Sequence, residues 1–147
     1  MSELTIEDQL AIQALYARYN HTIDFGRAAE WAATFTPDGA IETAIGTFKG
    51  TETLTAFAAG LFSQMRFRHW TNSLAVEGDS GRATGFCYLI GWTLEDGKAP
   101  GGGHHSHYED ELVKTGEGWR FARRQIVPDH RLPEALVAEG ERAVGSP

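Results

Sequence analysis

The apolar period of this chain changes once, near Met65, and that change limits the folds open to it. Before Met65 the apolar residues recur at steps of three and four; after it they alternate. The first pattern belongs to helices with one buried face, the second to half-buried strands. The strongest alternating run is Arg82 to Leu94, with Phe86, Tyr88, Ile90 and Trp92 on one face. A helical N-terminal third followed by long strands joined by short turns predicts an α+β fold with an antiparallel sheet. A length of 147 residues suits one domain with a sizeable core. That core is expected over about residues 4–130, with a C-terminal tail over 131–147.

The first helix is expected over about residues 4–24, with Ser2 as N-cap and Glu3, Glu7 and Asp8 in its first turns. Its apolar stripe is Ile6, Leu10, Ile12, Leu15, Tyr16, Tyr19 and Ile23, so Tyr16 and Tyr19 read as core-facing. Gly26 ends it, and a short helix over 27–34 turns Trp31 and Phe35 inward. Pro37-Asp38-Gly39 signals a turn, followed by a small hairpin of 40–43 and 46–49. Thr51 is the expected N-cap of a third helix over 51–62, with Leu54, Phe57, Ala58 and Leu61 on one face. Strands are expected over 67–76, 82–94, 104–115 and 119–128. A short helix is expected after Pro133, through Val137.

Composition excludes several partners. The net charge of −7 with no basic run argues against nucleic acid and against an anionic membrane surface. Cys87 is the only cysteine, so no disulfide framework and no thiolate metal cluster is expected. MSELTIEDQL lacks the basic-then-apolar pattern of a secretory signal, and no apolar run approaches a membrane span; a cytoplasmic location is the expectation.

Few residues offer chemistry. Asp24 falls where the first helix ends, and a carboxylate there meets the negative end of the helix dipole. A cationic partner is the natural remedy, although a solvated turn residue is the plainer alternative. His69, in RFRHWTNS, shares a strand face with Phe67. A buried histidine needs a polar partner, and Asp24 is the obvious acceptor; the pair then reads either as a general base or as a structural contact. Strict alternation puts Trp119, Phe121 and Arg123 on one face, and a bulge would turn Arg124 inward instead. Tyr108, Asp110 and Leu112 alternate on the preceding strand, where Tyr108 lines a cavity or packs in the core. GGGHHSH at 101–107 suggests a histidine-rich metal tract, but His104 opposes His105 and His107 across the strand, and no metal is expected. No nucleophile-elbow or phosphate-loop motif is present.

Taken in order, the motifs resemble a known family. A helix ending in Y-x4-D, then FTPDGAIE, GTFKG, RHWTN, Y-x-D and GW-x-F-x2-R is similar to the SnoaL-like division of the NTF2-like superfamily, over roughly residues 4–130. The resemblance implies a cone-shaped α+β barrel, a curved antiparallel sheet wrapped by helices around a mostly apolar cavity. Family members include dehydratases, a dehydrochlorinase, polyketide cyclases and an isomerase, and none needs a metal or organic cofactor. Asp24 and His69 match the Asp–His dyad of the dehydratases and the dehydrochlorinase. AIQALY, GTFKG and the TN after His69 are especially similar to the dehydrochlorinase. Tyr19 falls where one member has a tyrosine and another a lysine. Arg124, five residues after Trp119, matches the family arginine better than Arg123, which implies the bulge. Thr43 stands near the isomerase's base, so that chemistry is not expected.

What the resemblance implies is a cofactor-independent elimination on a small hydrophobic substrate. His69 oriented by Asp24 would be the base, and Tyr19 and Arg124 would assist the leaving group. Tyr16, Trp31, Phe35, Phe86, Tyr88 and Tyr108 would form cavity walls. A homo-oligomer, dimer or trimer, is expected from sheet faces that pack together. A ligand-binding domain without catalysis, or a hydratase or cyclase, are the other readings.

Overall fold

The computed structural model describes residues 3–101 and 103–129. Helix α1 (Ile6–Asp24) begins at Thr5, not at Ser2, which lies outside the described residues. Thr5 and Asp8 form a reciprocal capping box, which satisfies two of the backbone N–H groups a helix start leaves free. Asp8 also accepts from Trp119 Nε1 at 2.9 Å and Lys114 Nζ at 2.7 Å, so the helix start is tied to the far end of the sheet. Those bonds, the lysine's first, hold its carboxyl well below the usual range. Ile12, Leu15, Tyr16, Tyr19 and Ile23 form the buried stripe, whereas Ile6 and Leu10 stay exposed on the opposite side.

Helix α2 (Ala28–Ala32) is one residue-pair shorter at its end than expected and buries Trp31. Strand β1 (Phe35–Thr43) runs straight through the expected turn at Pro37-Asp38-Gly39. It pairs in parallel with the last strand, from Phe35 opposite Phe121 to Ala40 opposite Arg123, so the tripeptide is absorbed as a bulge. The short β2 (Gly46–Lys49) completes the hairpin with β1. Helix α3 (Thr51–Gln64) is capped by Gly50, at φ 89°, rather than by a Thr51 side chain. Strands β3 (Arg66–Gly78), β4 (Arg82–Leu94), β5 (His104–Thr115) and β6 (Gly118–Pro128) follow. The sheet order is β2-β1-β6-β5-β4-β3, antiparallel except where β1 meets β6.

The three helices cover one face of this curved sheet, and the core lies between them. On β4 the covered residues are Ala83, Gly85, Cys87 and Leu89. Phe86 and Tyr88, expected as cavity walls, project from the opposite face and are 37% and 53% exposed. The reason is steric. The Tyr16 hydroxyl sits directly over Gly85, where any Cβ would overlap it. Position 85 must therefore be glycine on the covered face, and the alternation that puts Gly85 there turns Phe86 and Tyr88 outward. The expected helix through Val137 lies outside the described residues.

Candidate functional site

Asp24 and His69 meet where the C-terminus of α1 crosses β3. Asp24 Oδ1 lies 2.5 Å from His69 Nδ1, and Asp24 Oδ2 accepts the His69 backbone N–H at 2.9 Å. One carboxylate thus fixes both the ring and the main chain that carries it, and these two bonds offset its unfavourable place at the helix end. A carboxylate that accepts from Nδ1 places a hydrogen there, and in the neutral form of the ring the lone pair is then on Nε2. The Asp24 side chain is 5% exposed and that of His69 15%, enough to leave the ring an open edge.

That edge forms part of a cleft of about 510 Å³ between α1 and β3. Tyr16, Ala17, Asn20 and His21 line it from the helix, and His69, Thr71, Asn72 and Leu74 from the strand, with Cys87 beneath. Past Thr71 the strand bulges, with Ser73 at φ 55° and a register shift between Asn72 and Ala75, which brings Leu74 into the wall. The Cys87 thiol is pushed up to about 12 by burial and is no nucleophile.

The other expected site residues lie elsewhere. Tyr19, Trp31, Phe35 and Tyr108 are buried core, each 4% exposed or less, and do not line the cleft. Arg124 does turn inward, because a register shift between Glu111 and Leu112 reverses the alternation on β6. It is fully buried, and its Nε and Nη2 donate to Asp110 Oδ1 and Oδ2, both at 2.7 Å. Its guanidinium carbon lies 3.8–4.8 Å from the ring centroids of Tyr108, Phe121, Tyr19 and Tyr16. Burial weighs most against its charge, yet the Asp110 carboxylate outweighs it and the guanidinium stays protonated. Tyr16 donates its hydroxyl to the same Asp110. Burial, then the Asp110 charge, pushes the Tyr16 phenol far up, so it remains a donor. Arg123, by contrast, points away and pairs with Glu42 at 2.7–2.8 Å.

Asp110 is the residue that sequence reasoning left without a role, although its alternation with Tyr108 and Leu112 put it on the buried face. Asn20 and Thr71 were not singled out; their signal was their spacing, one helical turn before Asp24 and two strand residues after His69. Among the described residues no three His, Cys, Asp or Glu side chains group to hold a metal ion. His107 instead pairs with Asp129, at 2.6 Å. No helix among them is long and apolar enough to cross a membrane.

Comparison with known proteins agrees with this architecture. A search of curated proteins finds no match. A protein of unknown function from Mycobacterium tuberculosis is 33% identical, with 82% of this chain and 70% of that one covered and a TM-score of 0.75. An NTF2-like protein with a cystatin-like fold from Novosphingobium aromaticivorans is 23% identical, covers 90% and 88%, and has a TM-score of 0.79. A scytalone dehydratase-like protein from the same organism is 19% identical over 82% and 83%, with a TM-score of 0.73. The last two likenesses show the fold alone. The family model described as the SnoaL-like domain matches residues 4–125, and the chain belongs to that family.

Proposed function

We propose that this protein is a cofactor-independent lyase that eliminates water, or a comparable leaving group, from a small hydrophobic molecule held in the α1–β3 cleft. The observation that supports the reading is the Asp24–His69 contact on the cleft wall, which engages Nδ1 and would leave Nε2 to act as the base. In the proposed reaction Nε2 takes a proton from carbon, and the electron pair of that C–H bond ends in the new double bond once the bond to oxygen has broken. Asp24 stabilises the imidazolium. The departing hydroxide takes the proton back from Nε2, giving water and restoring the neutral ring.

Dehydration suits this geometry best, because one imidazole serves as both base and acid. Tyr19 and Arg124, the assistants the family resemblance implies, are enclosed in the core, and Arg124 is committed to Asp110. The proposal includes a cytoplasmic enzyme that self-associates through the outer sheet face, where Trp70 and Tyr88 are 65% and 53% exposed.

The test is deuterium exchange at the acidic carbon of a bound ketone, or turnover once a substrate is found. His69→Ala should lower the rate by about 10²–10⁴ while leaving the fold intact. Asp24→Asn should be nearly as severe, since an amide supplies no charge to the imidazolium. A His69→Ala protein that exchanges or turns over at the wild-type rate makes the dyad structural and leaves binding without catalysis.

A further inference from the structure

A second contact runs beside the dyad. Residues four apart on a helix share a face, as do residues two apart on a strand. One turn before Asp24, Asn20 Nδ2 donates to Thr71 Oγ1 at 2.9 Å, two residues beyond His69. Asn20, His69 and Thr71 all line the cleft. Asn20 is 8% exposed, and its Oδ1 has no partner among the described residues.

The hydrogen count is informative. A hydroxyl carries one hydrogen and two lone pairs. The bond from Asn20 uses a lone pair of Thr71, so the Thr71 hydrogen stays free to donate. Turning the amide over exchanges the parts: Thr71 then donates to the amide oxygen and the amide NH₂ is left free. In the orientation the structure shows, Nδ2 donates to Thr71, the Thr71 hydrogen is unspent, and Thr71 lines the cleft.

We propose that the Asn20–Thr71 pair binds a carbonyl oxygen of the substrate, next to the carbon from which His69 takes the proton. The inference rests on the elimination reading for the C–H and adds the oxygen subsite. When His69 Nε2 removes the proton, the electron pair moves onto the carbonyl oxygen as an enolate. The enolate then reforms the carbonyl and expels the β-hydroxyl, which leaves as water with the proton from His69. A donor placed at that oxygen is worth most in the transition state, and losing one such donor costs about 10²–10³ in rate. Along β3 the two positions are separated by roughly 7 Å. That span accommodates H–C–C=O with a hydrogen bond at each end. Thr71 touches the oxygen, and Asn20 is a positioning residue that sets the Thr71 hydroxyl.

The experiment uses 2-tetralone for α-carbon exchange in D₂O, and 2-naphthol against naphthalene as binding probes for the enol form and its oxygen-free counterpart. The wild type should prefer 2-naphthol by about tenfold, the value of one hydrogen bond. T71V should bring the two affinities together without weakening naphthalene, and should lower exchange by about 10²–10³. T71S should restore both, and Asn20→Leu should lose part of the preference. H69A should lose exchange and keep the preference. A wild type that prefers 2-naphthol but does not exchange, with the preference lost in T71V, overturns the proposed reaction and upholds the oxygen subsite. A preference unchanged in T71V, or absent from the wild type because the probes bind equally or not at all, overturns the subsite whatever His69 does.

Discussion

The Asp110–Arg124 pair offers the sharpest test of how this core is held together. Both side chains are 0% exposed, and two parallel bonds of 2.7 Å join them. Replacing Asp110 by Asn keeps the shape and an acceptor for Tyr16. It removes the charge that balances Arg124 and sets an NH₂ against one guanidinium nitrogen. Removing one partner of such a pair costs about 3–5 kcal/mol, because the other charge stays buried without compensation. That is a large share of the roughly 5–15 kcal/mol that holds a domain folded. For a chain of this size it lowers the melting temperature by roughly 10 °C or more.

The molecule carries its own control one residue away. Arg123 makes the same two-pronged contact with Glu42, but the two side chains are 37% and 32% exposed. Arg123→Gln should cost about 1 kcal/mol or less. Urea unfolding followed by tryptophan fluorescence measures both variants, since Trp31 and Trp119 are buried. A loss at Asp110→Asn no larger than at Arg123→Gln refutes the argument from burial. Replacing the whole group together, Asp110→Leu with Arg124→Met and Tyr16→Phe, should recover most of the loss.

Three further outcomes are expected. Asp8 is held below its ordinary range by Lys114 and Trp119, so its contribution is fully present above about pH 4 and is lost as pH falls through the folded value; Asp8→Asn should flatten the acid limb of a melting-temperature profile below pH 4. Cys87, pushed up to about 12, should resist a thiol reagent at pH 8 until the protein is denatured, and fast native labelling would contradict its burial. Trp70→Glu together with Tyr88→Glu should shift the mass by light scattering to that of a monomer; a wild type already monomeric at micromolar concentration removes the proposed sheet-face contact.

Much of the fold was legible because the two periods differ so plainly. Strand β4 was read to the residue, from Arg82 to Leu94. Its orientation was not, because a period tells which residues share a face and not which face is covered. Size misled here: Phe86 and Tyr88 are large, but the Tyr16 hydroxyl leaves no room for a side chain at Gly85, and that fixes the opposite face for them. Pro37-Asp38-Gly39 misled for a related reason. Its local chemistry is that of a turn, yet Gly39 packs against Phe35 and the backbone of Phe121, and the parallel pairing of β1 with β6 carries the strand through. Arg124 was reached only through the family pattern. Its partner required the register of β5 against β6, a long-range quantity with no local signature.

The Asp24–His69 contact was legible for a reason that also limits how far the polar contacts between α1 and β3 repeat. Four residues of helix advance about 6 Å and two residues of strand about 6.6 Å. Where α1 runs back along β3, contacts can therefore repeat at matched steps: Asp24 with His69, then Asn20 with Thr71. The next step would set Tyr16 against Ser73. There the strand bulges and Ser73 takes a left-handed conformation, while Tyr16 passes over Gly85 to reach Asp110. The bulge thus ends the repeat at two contacts, one at His69 and one at Thr71. Beyond them Leu74 and Cys87 supply apolar wall. Under the proposed elimination, a ligand with its acidic hydrogen at one end, an oxygen beside it and hydrocarbon beyond is the shape this sequence of contacts would select.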